Sequence, residues 1–247
     1  MTTHQFFIKQ SRIDKSRMVT IEGQDARHIS QVLRLKKGSR IKLVDETQQL
    51  YSGTIRKVSA KAVLVALDEM PPCIPEQARV SVVQGIPRLP KSDLIVQKLT
   101  ELGVGGITFV SMARSPYTDA YERLQRRLQR LESIAEAAAK QCGRRCIPWI
   151  RAAKNIKEAL TDLSEGSICL AASENVKDKR LQNVLSAAPA AAPISVFIGP
   201  EGGFSEDELA LLARNGAREF SLGQNILRTE TAAIVAAALV LYELGEL

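Results

Sequence analysis

The spacing of apolar residues along this 247-residue chain changes once, and that change restricts its possible folds more than any other feature. Residues 1–72 contain short β-branched and aromatic runs bounded by turn formers such as Gly38 and Gly53, which is typical of closely spaced strands. After the proline-rich segment 70–75, apolar strands alternate with amphipathic helices, a pattern typical of a mainly parallel sheet with helices on both faces. The sequence therefore predicts a small β-barrel over residues 1–72 and an α/β domain over residues 73–247.

The same patterns place the individual elements. In the first domain the predicted strands cover residues 5–8, 18–21, 40–44, 51–58 and 62–67. One helix interrupts them, with Asp25 as its N-cap and with Ile29, Val32 and Leu33 on one face. In the second domain the predicted strands cover residues 80–84, 107–110, 168–172, 194–198 and 217–222. The predicted helices cover residues 91–102, 120–141, 156–163, 179–187, 206–215 and 231–244.

The helix predicted over residues 120–141 combines an apolar stripe with several arginines. Residues of the stripe recur at spacings of three and four, namely Leu124, Leu128, Leu131, Ala135, Ala138 and Cys142. The arginines that lie off it are Arg123, Arg126, Arg127 and Arg130. We expect the stripe to face a core and the arginines to face solvent, where they fit an RNA-facing surface and an ordinary solvated face equally well.

Composition excludes several classes of protein. The chain is 45% apolar and 25% charged, close to the globular average, which argues against a disordered, collagen-like or coiled-coil chain. The longest apolar run, residues 232–242, is shorter than the roughly 18 residues that suggest a membrane span. Because the first ten residues also lack a secretory signal pattern, we expect a cytoplasmic protein without a membrane partner. Four cysteines, two histidines and no CxxC pair predict reduced thiols and no metal site.

Positive charge is concentrated in the first domain. Residues 1–72 contain 13 Lys and Arg against 7 Asp and Glu, a net charge of +6, whereas the remaining 175 residues have a net charge of +1. A second basic cluster covers residues 114–151, with 9 basic and 4 acidic residues. Two basic regions favour a polyanionic partner, because phosphate contacts release counterions. A solvated basic surface without a partner remains the alternative.

The strongest local motif is the segment 194–208, ISVFIGPEGGFSEDE. An apolar strand runs directly into a glycine-rich turn, and Ser205 with Glu208 forms a capping box that opens a helix. Ligands of open α/β sheets bind at the carboxyl ends of strands, and glycine lets the backbone approach them closely. Neither GxxxxGK[ST] nor GxGxxG is present, so this turn is not a common nucleotide fingerprint. A tight turn without a ligand is the alternative.

A second loop, residues 221–231 (SLGQNILRTET), also leaves a strand and enters a helix. It offers a turn at Gly223 and brings Arg228 and Glu230 to a helix N-terminus. Capping by Thr229 or Thr231 would explain the threonines. Capping alone leaves the arginine and the glutamate unexplained.

Taken together, IGPEGGFS (198–205) and LGQNILRTETA (222–232) closely resemble the signature loops of the small-subunit ribosomal RNA uridine-N3 methyltransferases of the RsmE family, in the SPOUT superfamily. Four further segments match in the same order: HISQVLRLKKG (28–38), QKLTELG (97–103), AAKQCGRRCIPWI (138–150) and LAASEN (170–175). The stretch 88–93 departs from the family pattern, in which a Lys-Gly pair precedes the helix.

This resemblance implies a PUA-like, RNA-binding β-barrel followed by a SPOUT-type α/β domain whose last third, about residues 165–247, is threaded as a trefoil knot. It also implies a homodimer, the small ribosomal subunit or its RNA as partner, S-adenosylmethionine as cofactor and no metal. The implied cofactor contacts are Leu170, Gly199, Glu201, Gly202, Gly203, Leu222, Gly223, Ile226 and Leu227. The expected RNA contacts are His28, Arg34, Arg144 and Arg145.

The implied reaction transfers a methyl group to N3 of a uridine, which requires an unpaired base and removal of the N3 proton. Three carboxylates lie within matched motifs, at Glu101, Glu201 and Glu230. We favour Arg228 and Glu230 as the catalytic residues, with Arg228 stabilising the developing oxyanion. Two alternatives stay open: a non-catalytic RNA-binding ribosome assembly factor, and a SPOUT methyltransferase that acts on transfer RNA or on a ribose hydroxyl.

Overall fold

A computed structural model of the chain describes residues 4–68, 76, 78–164, 166–185, 189 and 191–247. The chain folds into two compact units. The first comprises Met1–Glu76 and Ala139–Cys146, and the second comprises Gln77–Ala138 and Ile147–Leu247. The predicted linker at residues 70–75, and with it the predicted domain boundary, lies outside the described residues.

The first unit contains a five-stranded sheet in the order β1-β3-β4-β5-β2. Its strands are β1 (Gln5–Phe7), β2 (Met18–Glu22), β3 (Arg40–Val44), β4 (Leu50–Val58) and β5 (Ala62–Leu67). β1 and β3 are parallel, and all other neighbours are antiparallel, with a bulge between Ile55 and Lys57. Alternate side chains of β2, β3 and β5 form one apolar core, which explains why these strands could be predicted from the sequence.

The helix of this unit differs from the prediction. Helix α1 (Gly23–Arg27) has Glu22, not Asp25, at its N-cap position, and it continues into a π-helical turn, His28–Val32. Asp25 instead forms an ion pair with Lys140 at 2.7 Å. The wider π turn also shifts the period of the side chains, so Ile29 is fully buried whereas Val32 is 67% exposed.

The second unit contains a six-stranded parallel sheet in the order β11-β9-β10-β6-β7-β8. Its strands are β6 (Val80–Gly85), β7 (Gly106–Val110), β8 (Trp149–Ala153), β9 (Ile168–Ala172), β10 (Ile194–Ile198) and β11 (Arg218–Phe220). Strand β8 was not predicted, because it has only one large apolar residue that is buried, Ile150, between exposed Trp149 and Arg151. Its helices are α2 (Leu89–Leu102), α3 (Ala120–Gln125), α5 (Ile156–Thr161), α6 (Leu181–Leu185), α7 (Glu206–Arg214) and α8 (Thr229–Glu243). Helix α4 (Leu128–Cys142) begins in the second unit, and its residues from Ala139 onward belong to the first.

The strand order creates a switch point beside β6. The chain runs outward through β7 to the edge strand β8, and then returns to the other side of β6 to form β9 and β10. All carboxyl ends lie at one edge of the sheet because every strand is parallel. Ligands of open α/β sheets bind at such a switch point, so the loops after β9, β10 and β11 are in the expected position for a site.

The long predicted helix is interrupted at Arg126 and Arg127, which separate α3 from α4. Arg127 and Arg130 form ion pairs of 2.7 Å with Asp93 on α2, and Arg123 pairs with Asp119 at 2.6 Å. The expectation that these arginines face solvent is confirmed for Arg123, Arg126 and Arg130, which are exposed, and is wrong for Arg127, which is half-buried. The residues of the predicted apolar stripe from Leu124 to Ala138 are at least half-buried, whereas its last member, Cys142, is exposed. Within the described residues, no helix has the length and apolar character needed to cross a bilayer.

Candidate active site

A cavity of about 690 Å³ lies at the carboxyl edge of the parallel sheet. Three loops contribute most of its lining, and they follow β9 (residues 172–177), β10 (residues 198–209) and β11 (residues 222–232). Lys91 on α2 and Arg114 after β7 complete it. The structure thus brings together the two glycine-containing loops that the sequence singled out.

The glycine-rich loop after β10 folds back on itself. The Gly203 N–H donates to the Pro200 carbonyl at 3.0 Å, and Gly203 has a φ of +69°, which disfavours other residues. A Cβ at Gly199 would lie 3.0 Å from Gly203, so the two glycines permit this close approach. The predicted capping box is present, because the side chains of Ser205 and Glu208 each accept a bond from the other's backbone N–H.

A buried network joins this loop to the start of α8. The Thr229 hydroxyl donates to the Gly199 carbonyl at 2.7 Å and accepts a bond from Gln84 Nε2 at 2.8 Å. Gln84, at the end of β6, is fully buried and Thr229 is 5% exposed. Neither threonine caps α8, whose N-cap position is Arg228 without a side-chain cap. Thr229 therefore fixes one loop against the other.

Lys91 makes a second link between the two loops at the rim of the cavity. Its ammonium lies 3.1 Å from Glu201 Oε1 and 3.0 Å from Glu230 Oε2. Burial alone would raise the pKa of Glu230, but hydrogen bonds from its own backbone and from Lys91 outweigh burial and hold this pKa below its ordinary value. Burial likewise opposes the charge of Lys91, yet the two carboxylates raise its pKa. Lys91 and Glu230 are therefore both charged at neutral pH.

Most of the predicted cofactor residues line the cavity, namely Gly199, Glu201, Gly203, Leu222, Gly223, Ile226 and Leu227. Leu170 belongs to the apolar core within β9 and is fully buried. Gly202 makes room for the β7 loop, since a Cβ there would lie 2.8 Å from the Cβ of Arg114. The Arg114 guanidinium donates to the Gly202 carbonyl at 3.1 Å.

The two residues proposed for catalysis differ in position. Arg228 lines the cavity and is exposed, and no ion pair to its guanidinium occurs among the described residues. Glu230 is the second residue of α8 and contacts Lys91, which lines the cavity. Glu101 pairs with Lys98 at 2.8 Å, ten residues along α2 from Lys91, so it lies roughly 15 Å away along the helix axis.

The residues expected to bind RNA lie in the first unit. His28 and Arg34 are exposed, and Arg34 has a φ of +50°. Arg144 and Arg145 both approach Glu76, at 3.7 and 3.4 Å, and the Arg144 side chain is only 9% exposed. Part of their charge is therefore directed to a carboxylate of the protein.

Sequence reasoning missed Lys91, Arg114 and Gln84 as parts of the site. Lys91 lies in the stretch that departs from the family pattern, and that departure was the available signal. Gln84 could have been noticed as an amide that ends an apolar strand. Nothing local marks Arg114, which reaches the cavity only because β7 lies near β10 in the sheet. Among the described residues, no three potential metal ligands cluster together.

Comparisons with known proteins agree with this arrangement. The model of a family described as RNA methyltransferase domain matches residues 75–241, and that of the RNA methyltransferase PUA domain matches residues 21–68. Ribosomal RNA small subunit methyltransferase E of Bacillus subtilis is 26% identical, with 97% of this chain and 96% of the relative aligned. The protein of the same name from Rickettsia conorii is 27% identical over the same shares of the two chains.

Solved structures give the same result for the fold. Ribosomal RNA small subunit methyltransferase E from Neisseria gonorrhoeae, bound to S-adenosyl methionine, is 25% identical and superimposes with a TM-score of 0.84 over 98% of both chains. A predicted RNA methyltransferase from Thermotoga maritima is 25% identical, with a TM-score of 0.71 over 99% of this chain and 100% of the other. An α/β methyltransferase fold with a PUA-like N-terminal domain is thereby confirmed. This chain belongs to the RNA methyltransferase family whose members include ribosomal RNA small subunit methyltransferase E.

Proposed function

We propose that this protein uses S-adenosylmethionine to methylate N3 of a uridine in small-subunit ribosomal RNA. The observation that carries this proposal is the cavity in which the two glycine-containing loops meet, because it collects most of the residues that the resemblance implies for the cofactor. The names of the relatives support ribosomal RNA as the substrate. The position N3 comes from the resemblance of the two loops alone.

The lining of the cavity fits S-adenosylmethionine, which combines a purine nucleoside with a charged tail. Leu222, Leu227 and the 82% exposed Ile226 offer apolar surface to a base, and the glycine backbone leaves room for close contact. Carboxylates and cations both line the cavity, at Glu174, Glu201, Glu206, Lys91, Arg114, Lys177 and Arg228. A volume of about 690 Å³ also falls within the range of small-molecule sites. When bound, the cofactor would supply a methyl group on a reactive sulfonium.

The chain's own residues then have two tasks, which are to orient the uridine and to stabilise its anion. Loss of the N3 proton spreads negative charge onto the carbonyl oxygens of the base, and the Arg228 guanidinium can donate to such an oxygen. Lys91 lies at the same rim, but its charge is balanced by Glu201 and Glu230. We therefore assign to Arg228 the role of catalytic residue.

Glu230 acts through Lys91 in this proposal. A general base works best when its pKa is near the working pH, whereas the pKa of Glu230 lies below its ordinary value. The charged Glu230 instead holds Lys91 between the two loops, together with Glu201. Glu230 is thus a positioning residue, and proton transfer falls to another group or to water.

We further propose that residues 1–72 form the RNA-binding domain, with His28 and Arg34 as its exposed contacts. Arg144 and Arg145, from later in the chain, are the other proposed RNA contacts, and they share their charge with Glu76. We also propose the trefoil knot over about residues 165–247, which the insertion of β10 between β9 and β6 supports. Because the proposed substrate is ribosomal RNA, we expect the protein to act in the cytoplasm.

A homodimer is also part of the proposal. Helix α8 is apolar on nearly all sides, yet Leu239 is 40% and Tyr242 67% exposed on it. Leu94, on the adjacent helix α2, is 42% exposed. A helix that is apolar all round is normally buried, so a second copy of the chain fits this face. Sedimentation equilibrium tests it, with a monomeric mass as the result that would contradict it.

The proposed activity can be tested with the purified chain, S-adenosylmethionine carrying a labelled methyl group, and one of three substrates: small ribosomal subunits, their naked RNA, or transfer RNA. We expect saturable binding of the cofactor by calorimetry and transfer of label to RNA. Mass spectrometry of nuclease digests then locates the methyl group. Label on a ribose hydroxyl, or on transfer RNA alone, would favour a different SPOUT methyltransferase. Absence of cofactor binding would favour the non-catalytic assembly factor.

A further inference from the structure

A row of aromatic rings paired with cations runs along β8, α3 and the segment before α3. The Arg151 guanidinium lies 4.6 Å from the centre of the Trp149 ring, and Lys154 Nζ lies 5.8 Å from that of Tyr121. The Arg123 guanidinium lies 4.8 Å from the centre of the Tyr117 ring. We call this set the aromatic row, and it comprises Tyr117, Tyr121, Arg123, Trp149, Arg151 and Lys154.

Trp149 is the most unusual member of the row. It is the only tryptophan of the chain and it is 40% exposed on an edge strand. A Cβ at Gly106 would lie 1.9 Å from its ring, so the glycine of the neighbouring strand β7 makes space for the indole against the sheet. The indole is therefore held in place by the backbone while a substantial part of it stays in contact with solvent. A large aromatic side chain that is both fixed and exposed is typical of a binding surface.

One end of the aromatic row follows closely in the chain after a residue that lines the cavity. Arg114, which lines the cavity, and Tyr117 lie three residues apart on the same loop after β7. Strand β8 is three strands away from β10, or roughly 14 Å at the usual spacing between strands, and Trp149 begins β8, roughly 13 Å along the strand from the carboxyl edge that holds the cavity. The row therefore begins beside the site and leads away from it along one edge of the sheet.

We propose that the aromatic row binds unpaired RNA that flanks the target nucleotide, an inference that rests on the proposed function. Unstacked bases bind aromatic rings and guanidinium planes, whereas lysine and arginine neutralise the neighbouring phosphates. The row supplies both kinds of group in alternation, with a cation within 6 Å of each ring. A purely apolar protein partner would not need these charges, and the reaction itself requires RNA whose bases are not paired.

The single tryptophan allows a direct test on the full chain. We expect the fluorescence of Trp149 to be quenched saturably by a 12-nucleotide oligouridylate, with the same midpoint as binding followed by anisotropy of the labelled oligonucleotide. Heparin, a polyanion without bases, should not quench. Binding of the oligonucleotide without any change in Trp149 emission, or equal quenching by heparin, would overturn the proposal. Quenching by an acidic peptide but not by RNA would assign the row to a protein partner and would overturn it as well.

Variants make the test quantitative. Replacing Trp149 with alanine should weaken oligonucleotide binding by about 5- to 100-fold, the range for loss of one stacked base, whereas Trp149→Phe should keep most of the affinity. Arg151→Gln, on the exposed side of the strand, should also weaken oligonucleotide binding. This variant provides the test if Trp149→Ala does not fold. Unchanged RNA affinity in both Arg151→Gln and a folded Trp149→Ala would refute the role of the row. Calorimetry with S-adenosylmethionine separates this proposal from the proposed function. A parent protein that binds the oligonucleotide but not S-adenosylmethionine would contradict the proposed function and not the role of the aromatic row.

Discussion

Replacing Ile226 with alanine is expected to weaken binding of S-adenosylmethionine without affecting the fold. Ile226 lines the cavity and is 82% exposed. Its side chain therefore contributes little to the folded state, and a bound nucleoside would cover it. Few other positions separate binding from stability in this way, because Leu222 and Leu227 are partly buried in the protein itself.

The magnitude follows from the apolar surface that a ligand can cover. The substitution removes three carbon atoms, and burial of each is worth about 0.8 kcal/mol. With 82% of the side chain available for burial, complete coverage by the ligand gives a loss of about 2 kcal/mol, and half coverage gives about 1 kcal/mol. The dissociation constant should therefore rise by roughly 5- to 30-fold.

Isothermal titration calorimetry measures the dissociation constant, and urea denaturation measures the free energy of unfolding. Val32→Ala is the matched control, since Val32 is also an exposed apolar residue, at 67%, but lies in the first unit and not at the cavity. Both variants should unfold within about 0.5 kcal/mol of the parent protein, as expected for exposed positions. Only the Ile226 variant should lose affinity.

An Ile226→Ala variant that binds S-adenosylmethionine as tightly as the parent would refute the reasoning, because the apolar wall of the cavity would then not contact the cofactor. Equal loss of affinity in the Val32 control would point to a general effect on the protein and would refute it too.

Two further predictions concern the links between the loops, and a third concerns the proposed catalytic residue Arg228. Thr229→Val keeps the shape of the side chain but leaves the buried Gly199 carbonyl with only the longer bond from Gln84 Nε2, at 3.3 Å. Urea denaturation should therefore show a loss of about 0.5–1.5 kcal/mol in the free energy of unfolding, with Thr229→Ser close to the parent, and an unchanged value would contradict the network. The pKa of Glu230 is lowered in the folded state, so its ion pair with Lys91 stabilises the protein above the ordinary pKa near 4.5 and less as the pH falls below it. The difference in unfolding free energy between the parent and Lys91→Met should accordingly shrink as the pH is lowered from 6 to 3. A difference that stays constant would show that the stabilisation does not come from the ion pair with Glu230. Arg228→Ala should retain cofactor binding but reduce single-turnover methyl transfer by about 10²- to 10³-fold, and transfer at the parent rate would remove Arg228 from the mechanism.

Local patterns were sufficient to predict most strands and helices. The alternation of apolar residues located β3, β5, β9 and β10 to the residue, because one or both faces of each strand are buried. The Ser205 capping box was equally readable, since its partners are three residues apart. Prediction failed where tertiary contacts replace a local rule. Strand β8 exposes its large side chains, and the break between α3 and α4 places arginines opposite Asp93 of another helix.

The sequence by itself determined that two loops with unusual glycines follow strands of a parallel sheet, and its resemblance to known loops indicated the cofactor. Only the tertiary structure decided that these loops are held together by Lys91 and Gln84, which lie more than a hundred positions before them in the chain. The reason is that hydrophobic periodicity reports the local environment of a side chain, whereas an ion pair or a buried hydrogen bond depends on which strands become neighbours. That order, with β6 between β10 and β7, is fixed by packing of the whole sheet.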